Sequence, residues 1–202
     1  MTARFISFEG IDGSGKSTQA RMLADALRAE GHAVTLTREP GGSAGAEEIR
    51  RLVLEGDPDR WSAETEILLF TAARRDHLEK TILPALARGD IVITDRFADS
   101  TRIFQGITRG DLRETVDTLH SLMIAREPDL TLLFDIDPAV GLARATARAG
   151  AEMRFEDMGL HFQTLARDGF LALAALHPRF HIIDGARAPD TVAADVRAAC
   201  HV

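Results

Sequence analysis

Residues 10–17 have the composition and spacing of a loop that holds a chain of phosphate groups. They read Gly-Ile-Asp-Gly-Ser-Gly-Lys-Ser, with glycines at positions 10, 13 and 15 and then Lys16 and Ser17. Glycines let successive backbone N–H groups curl around an anion, the lysine reaches the β- and γ-phosphates, and the serine hydroxyl can ligate Mg²⁺. The predicted chemistry is therefore the binding of a nucleoside triphosphate with its magnesium ion.

The segments on either side of this loop support that interpretation. The apolar run at 5–8 precedes the loop and predicts a buried strand. A helix with Ala20, Leu23 and Leu27 on one face follows it. A strand, a glycine-rich turn and a helix N-terminus form the context in which this motif binds phosphate. A glycine turn that matches the pattern by chance is the alternative.

The rest of the chain alternates between apolar runs and helical patterns. Further strands are predicted at 33–37, 91–94, 130–134 and 180–183, and helices at 46–54 and from 62 or 63 towards 88, with Pro84 as a bend. Mostly apolar strands are typical of parallel sheets covered on both faces. The sequence therefore predicts an α/β fold, a five-stranded parallel sheet with helices on both faces, in a single domain over residues 1–202.

The bulk composition narrows the possible functions. The 202 residues include 24 Lys and Arg against 31 Asp and Glu, and the net charge of −7 argues against nucleic acid as a partner. We expect no membrane span, because no apolar run approaches about 20 residues. The first strand starts so early that we expect no signal peptide, and Cys200 is the sole cysteine. The expected location is cytoplasmic.

Charged residues follow the predicted strands, where α/β sheets bind their ligands. Asp95 ends the strand at 91–94 and is placed to hold Mg²⁺, directly or through water, although Asp135 at the end of the next strand competes for that role. Either carboxylate could instead cap the following helix. Arg96 comes directly after Asp95 and suits bidentate binding of a second phosphate.

Two further segments carry candidate ligand-binding residues. Phe70 and Arg74 are four residues apart, so they share a helix face that offers a plane for a base and a clamp for its phosphate. The alternative, in which Phe70 packs in the core and Arg74 is a solvated charge, stays open. Arg38 is a further candidate for the same anion.

Arginines between 144 and 154 could form a mobile lid. Arg144 and Arg148 are at helical spacing and Arg154 follows, which defines a basic edge in a segment of about 142–158. A solvated helix face explains the same spacing. Over a triphosphate site, however, phosphoryl transfer needs positive charge and the exclusion of water, and such a lid would supply both.

Taken together, these motifs resemble the thymidylate kinase family, which has the P-loop NTPase fold. The resemblance covers nearly the whole chain. It is carried by Phe-Glu-Gly-Ile-Asp-Gly-Ser-Gly-Lys-Ser-Thr from Phe8, Thr-Arg-Glu-Pro-Gly-Gly from Thr37, Phe-Thr-Ala-Ala-Arg from Phe70, Asp-Arg-Phe from Asp95, Ser100-Thr101 and Phe104-Gln105-Gly106. It implies a homodimeric nucleoside monophosphate kinase that uses Mg²⁺ to transfer the γ-phosphoryl group of ATP to dTMP, giving dTDP and ADP.

The resemblance also implies a role for each matching residue. The implied ATP-binding residues are Gly10, Ile11, Asp12, Gly13, Ser14, Gly15, Lys16, Ser17, Thr18 and Arg144. The implied dTMP-binding residues are Asp12, Arg38, Pro40, Phe70, Arg74, Arg96, Ser100, Thr101, Phe104 and Gln105. Lys16, Asp12, Arg96, Arg148 and Arg154 would be catalytic, and Ser17 and Asp95 would hold the metal.

Two differences from other members of the family refine the resemblance. Some members carry a basic residue inside the phosphate loop, whereas this chain has Asp12-Gly13-Ser14, so it resembles the members that use a catalytic arginine from the lid. Phe104 replaces a tyrosine found in others, which removes a hydroxyl contact but keeps the bulk that crowds a ribose 2′-position. A kinase for another nucleoside monophosphate and an ATP-dependent switch remain the alternatives. The chain has no asparagine, and therefore no Asn-Lys-x-Asp motif for guanine.

Overall fold

Five parallel strands form one sheet in this protein. A computed structural model describes residues 4–57, 60–147 and 158–200. Its strands are β1 (Phe5–Glu9), β2 (Val34–Arg38), β3 (Ile91–Asp95), β4 (Leu130–Asp135) and β5 (Phe180–Asp184), in the spatial order β2-β3-β1-β4-β5. The predicted α/β fold with a five-stranded parallel sheet is confirmed, and each strand lies within a residue or two of its predicted bounds.

Helices cover both faces of this sheet in the described ranges. They are α1 (Lys16–Ala29), α2 (Ala44–Leu54), α3 (Ala63–His77), α4 (Leu83–Arg88), α5 (Ala98–Phe104), α6 (Arg113–Met123), α7 (Pro138–Thr146), α8 (Gly159–Leu176) and α9 (Pro189–Cys200). None of these helices is both long enough and apolar enough to cross a bilayer.

Alternation along the strands divides the core into layers. Ile6 and Phe8 of β1 pack in a cluster with Leu23 and Leu27 of α1 and with α9. Phe5 faces the other way, in a cluster with Leu78 and Phe97. Glu9 has the same parity as Phe5, so the strand directs its carboxyl group to the face that carries α5.

The long helix predicted from 62 or 63 towards 88 is helical throughout residues 63–88, but it is not a regular α-helix along its whole length. Its helical path contains a π-helical turn, Leu78–Ile82, between α3 and α4, and Pro84 lies in the first turn of α4. A proline has no N–H to bond the carbonyl four residues earlier, and a helix start tolerates that loss. The π-turn therefore lets one continuous helical segment contain a proline.

The strand order places the loops after β1 and β3 at the same edge of the sheet. β1 lies between β3 and β4, and the chain crosses from one side of β1 to the other between β3 and β4. The loops after β1 and β3 therefore leave neighbouring strands at their carboxyl ends, at the switch point where α/β sheets form a ligand crevice.

Candidate active site

A cavity of about 330 Å³ opens at this edge of the sheet. It brings together most of the residues that the sequence analysis singled out. Those that line it are Asp12, Gly13, Gly15, Lys16, Ser17, Arg38, Pro40, Phe70, Arg74, Asp95, Arg96, Ser100, Thr101, Phe104 and Gln105. The phosphate loop and the candidate acceptor residues thus border one space.

The loop after β1 has the conformation that phosphate binding requires. Gly13 has φ of +74°, and a Cβ there would lie 2.0 Å from the carbonyl oxygen of Gly141, so only glycine fits. Gly15 precedes α1 with φ of +94°, and no side chain in the described ranges caps that helix. The first N–H groups of α1 are therefore available to an anion, which the helix dipole also favours.

Lys16 is held inside the loop by hydrogen bonds, and its pKa is lowered there. Its side chain is buried, and Nζ donates hydrogen bonds to the Ile11 carbonyl (2.7 Å) and the Ser14 hydroxyl (3.2 Å). Burial, together with the nearby charge of Arg96, lowers the pKa of Lys16 from 10.5 to about 8. A phosphate bound beside Nζ would favour the charged form again.

Ser17 and Asp95 join the start of α1 to the end of β3. The Ser17 hydroxyl donates a short hydrogen bond to Oδ2 of Asp95. The other oxygen, Oδ1, is buried and has no hydrogen-bond partner among the described residues. A buried carboxylate oxygen without a donor is a suitable neighbour for a hydrated cation. Asp95 and Ser17 therefore fit the predicted magnesium site.

Asp135, the competing carboxylate, is already paired. Arg167 of α8 binds both of its oxygens, with Nε at 2.6 Å from Oδ1 and Nη2 at 2.8 Å from Oδ2. This bidentate pair lowers the pKa of Asp135 below its ordinary value, chiefly through the hydrogen bonds from Arg167. The structure therefore favours Asp95 over Asp135 for the metal.

Arg96 connects the two sides of the cavity. Its Nη1 donates to the Gly10 carbonyl (3.0 Å) and the Ser100 hydroxyl (2.9 Å), and its Nη2 donates to Asp12 (2.6 Å). The guanidinium lies 4.9 Å from the ring centre of Phe104. The backbone at Arg96 has φ of 72°, a left-handed conformation that is uncommon for a residue with a side chain. A sharp turn directly after β3 therefore aims this side chain at the loop after β1.

Asp12 is the counter-charge in this arrangement. Burial alone would raise its pKa, but Arg96 and Lys16 lower it below the ordinary value. Gln163 of α8 also donates to its Oδ2 at 3.2 Å. Asp12 is thus kept ionised between two cations.

Arg74 is buried against the cavity wall. Its Nε donates to Glu39 (2.7 Å), and its Nη2 donates to Thr101 (2.9 Å) and the Phe97 carbonyl (3.2 Å). The alternative in which Arg74 is a solvated charge is therefore wrong, because 4% of the residue is exposed. Nη1 has no hydrogen-bond partner within the described ranges.

The side chains on the acceptor side differ in how they are held. Phe70 is 9% exposed and borders the cavity. Phe104 stacks on Phe162 with ring centres 5.7 Å apart. Arg38 is half exposed and pairs with Glu47 at 3.1 Å, so it lies at the rim and is less constrained than Arg74 and Arg96.

The adenine side of the predicted site is described only in part. Nη1 of Arg144 donates to the Gly185 carbonyl at 3.2 Å, and the Gly185 turn lies close to Ser14 of the phosphate loop. Arg144 therefore lies near the phosphate loop. Arg148, Arg154 and most of the predicted lid fall outside the described residues.

The structure adds buried polar residues that the sequence analysis gave no role. They are Glu9, Glu39, Glu66 and Gln163, and the half-buried Arg50 lines the cavity as well. Glu9 accepts hydrogen bonds from the Phe97 amide (2.7 Å) and the Ser100 hydroxyl (2.6 Å). Burial and the nearby Asp99 raise the pKa of Glu9 from 4.5 to about 8. Glu9 and Glu39 lie inside the motifs that begin at Phe8 and Thr37, and this position is the sequence feature that could have marked them as site residues.

A family model, two related sequences and a solved structure all match this chain and all carry the same family name. The family model described as thymidylate kinase matches residues 8–196. A thymidylate kinase from Ruegeria pomeroyi is 72% identical over 196 residues, which cover 96% of this chain and 93% of the relative. One from Dinoroseobacter shibae is 68% identical over 194 residues, with 96% and 94% covered. The crystal structure of thymidylate kinase from Ehrlichia chaffeensis superposes with a TM-score of 0.79 at 37% identity and covers 98% of both chains.

Proposed function

The chain belongs to the thymidylate kinase family, and we propose that it transfers the γ-phosphoryl group of ATP to dTMP, giving dTDP and ADP. The resemblance inferred from the sequence is confirmed at the level of the family, and the family is one of nucleoside monophosphate kinases. One observation carries the proposal for this chain. Lys16 and Ser17 of the phosphate loop border the same cavity as Phe70 and Arg96.

The donor site is proposed in the loop after β1. The triphosphate would lie against backbone N–H groups of the phosphate loop and of the first turn of α1, with adenine near Arg144. Among the described residues, Lys16 Nζ donates hydrogen bonds to two uncharged oxygens, those of Ile11 and Ser14, so a phosphate oxygen can replace them with a gain in electrostatic energy.

The acceptor site is proposed on the side of α3 and α5. Phe70 would stack on the base, with Thr101 and Gln105 at its edge and Phe104 beside the sugar. Arg96 is the strongest candidate for the acceptor phosphate, because it is rigidly held and lies between the phosphate loop and α5. Arg74, Arg38, Pro40 and Ser100 complete the proposed set.

Mg²⁺ is the proposed cofactor, held by Ser17 and Asp95. In the described ranges no group of three or more His, Cys, Asp or Glu residues could hold a metal without help. A site with one carboxylate and one hydroxyl fits Mg²⁺ that keeps waters and binds through substrate phosphates. When bound, the ion neutralises charge on the transferring phosphoryl group.

Catalysis would consist of positioning and charge neutralisation. The acceptor phosphate oxygen is already anionic at neutral pH, because its second pKa is about 6, so the step needs no strong general base. Lys16 and Arg96 supply fixed positive charge where negative charge accumulates, at no cost of reorganisation. Asp12 holds Arg96 in place and would approach the sugar and the reacting phosphates. Arg148 and Arg154 are proposed to add charge from the lid.

We also propose that the protein is a cytoplasmic homodimer. Apolar side chains on neighbouring helices are exposed, namely Leu68 of α3 and Leu122 and Met123 of α6. α3 and α6 pack against each other, so these side chains could form part of one interface. Light scattering on the purified chain tests the dimer.

Release of ADP with a panel of monophosphates tests the proposed reaction. The panel is dTMP, dUMP, dCMP, dGMP and AMP, each with ATP and Mg²⁺. The highest kcat/KM is expected for dTMP. A clear preference for another monophosphate would overturn the acceptor but not the reaction class. Slow hydrolysis that no monophosphate accelerates would point to a switch.

A further inference from the structure

A buried carboxylate holds the side-chain amide of Gln105. Nε2 of Gln105 donates to Oε2 of Glu66 at 3.0 Å, across the contact between α5 and α3. Glu66 is fully buried, and Nη1 of Arg109 contacts its other oxygen, Oε1. Arg109 is fixed in turn, because its Nη2 donates to the Trp61 carbonyl at 3.2 Å.

This arrangement determines which end of the amide faces the cavity. A carboxylate paired with a guanidinium can only accept hydrogen bonds, so Glu66 requires the NH₂ group of Gln105 and repels its carbonyl oxygen. The amide orientation therefore follows from the chemistry of Glu66. Oε1 of Gln105 accepts no hydrogen bond from the described residues, and Gln105 lines the cavity while 2% exposed.

We propose that Glu66, held by Arg109, is a positioning residue that makes the acceptor site selective for a base with a ring N–H. This inference rests on the proposed function, in which Gln105 faces the base. Thymine and uracil carry a hydrogen at N3, which Oε1 of Gln105 can accept. Cytosine has a lone pair there, so two acceptors would face each other in a buried site. Sites that leave buried polar groups unpaired discriminate strongly against the wrong ligand.

Glu66→Gln is the direct test, because it replaces the oxygen that accepts from Gln105 with an NH₂ group that donates. The shape of the side chain changes little. The carbonyl of residue 66 would still accept from Arg109, and its new NH₂ group would donate towards Gln105. Gln105 would then turn its own NH₂ into the cavity. kcat/KM should fall about tenfold or more for dTMP and by the same factor for dUMP, and should rise for dCMP. The ratio of kcat/KM for dTMP to kcat/KM for dCMP should therefore fall by more than about tenfold.

Controls separate this mechanism from general damage. Glu64→Gln makes the same change on the exposed face of the same helix and should leave the ratio unaltered. KM for ATP should not change in Glu66→Gln. In a Gln105→Met background, Glu66→Gln should no longer alter the ratio. Equal losses for dTMP and dCMP in Glu66→Gln would show a merely structural role and would overturn the inference.

A second variant covers the case in which Glu66→Gln does not fold. Arg109→Met removes the group that fixes Glu66, so Glu66 no longer holds the NH₂ end of Gln105 in one orientation. The same ratio should fall, and an unchanged ratio would contradict the inference. Failure of the proposed function differs from failure of this inference. If the proposed function is wrong, the wild-type protein does not phosphorylate dTMP.

Discussion

Nη2 of Arg96 lies 2.6 Å from Oδ1 of Asp12, which ties the turn after β3 to the loop after β1. The two loops leave neighbouring strands, so this ion pair closes one side of the crevice at the switch point of the sheet. Arg96 is thereby fixed before any ligand binds. Fixed charge is the form of catalysis that phosphoryl transfer needs most.

Arg96→Lys should lower kcat by about a hundredfold or more. The guanidinium bonds three separate acceptors, Gly10, Ser100 and Asp12, and an ammonium group on a shorter reach cannot span them. Arg38→Lys is the matched control, because Arg38 is half exposed with one ion pair to Glu47, and should cost far less. Steady-state kinetics with dTMP varied measures both, and equal effects would contradict a central role for Arg96.

The pH dependence of kcat/KM for ATP should report Lys16. Its pKa in the ligand-free protein is about 8, because burial and Arg96 disfavour the charged form. Above pH 8 the free protein loses this charge, so kcat/KM should fall by about tenfold per pH unit. Lys16→Met should lower kcat/KM at pH 7 by about 10²–10³-fold and abolish this limb. A wild-type profile that stays flat to pH 9.5 would show that Lys16 keeps its proton.

Asp95→Asn should raise the Mg²⁺ concentration needed for half-maximal activity several-fold, because an amide is a poorer ligand than a carboxylate for this ion. Asp135→Asn is the matched control at the end of the neighbouring strand. Its carboxylate is occupied by Arg167, so the magnesium requirement should not change, although stability should fall. If Asp135→Asn shifted the magnesium titration and Asp95→Asn did not, the metal assignment would be reversed.

Glu9→Gln should alter how stability depends on pH. The folded-state pKa of Glu9 is raised from 4.5 to about 8 by burial and Asp99. Between these values the folded protein retains a proton that the unfolded chain has released. Rising pH therefore destabilises wild type relative to Glu9→Gln, by up to about 1.4 kcal/mol per unit. Urea unfolding of both proteins from pH 5 to pH 8 measures the difference. A difference that stays constant or favours wild type as pH rises would contradict the raised pKa.

The sequence was sufficient to predict the residues that a strand end or a local motif positions. Lys16 and Ser17 follow from the spacing of the phosphate loop, and Asp95 and Arg96 follow from the end of an apolar strand. In each case the local pattern determines where the side chain must lie relative to the sheet. The five parallel strands were predictable for the same reason, because their apolar runs are short and well separated.

Residues whose role depends on distant contacts could not be predicted in this way. Glu66 approaches Gln105 from 39 positions away and Gln163 approaches Asp12 from 151 positions away, through the packing of α3 and α8. The periodicity of the sequence predicts single helices and strands, but it does not predict these contacts between distant helices and loops. The π-turn at Leu78–Ile82 was not predicted, because single π-turns form within α-helices from the same helix-forming residue types.

Direct transfer of a labelled phosphoryl group tests the central claim most directly. The protein is mixed with dTMP, Mg²⁺ and ATP that carries ³²P at the γ-position, and the products are separated by chromatography. The label is expected in dTDP, in an amount equal to that of the ADP formed. Label released as inorganic phosphate while dTMP remains unchanged would contradict it.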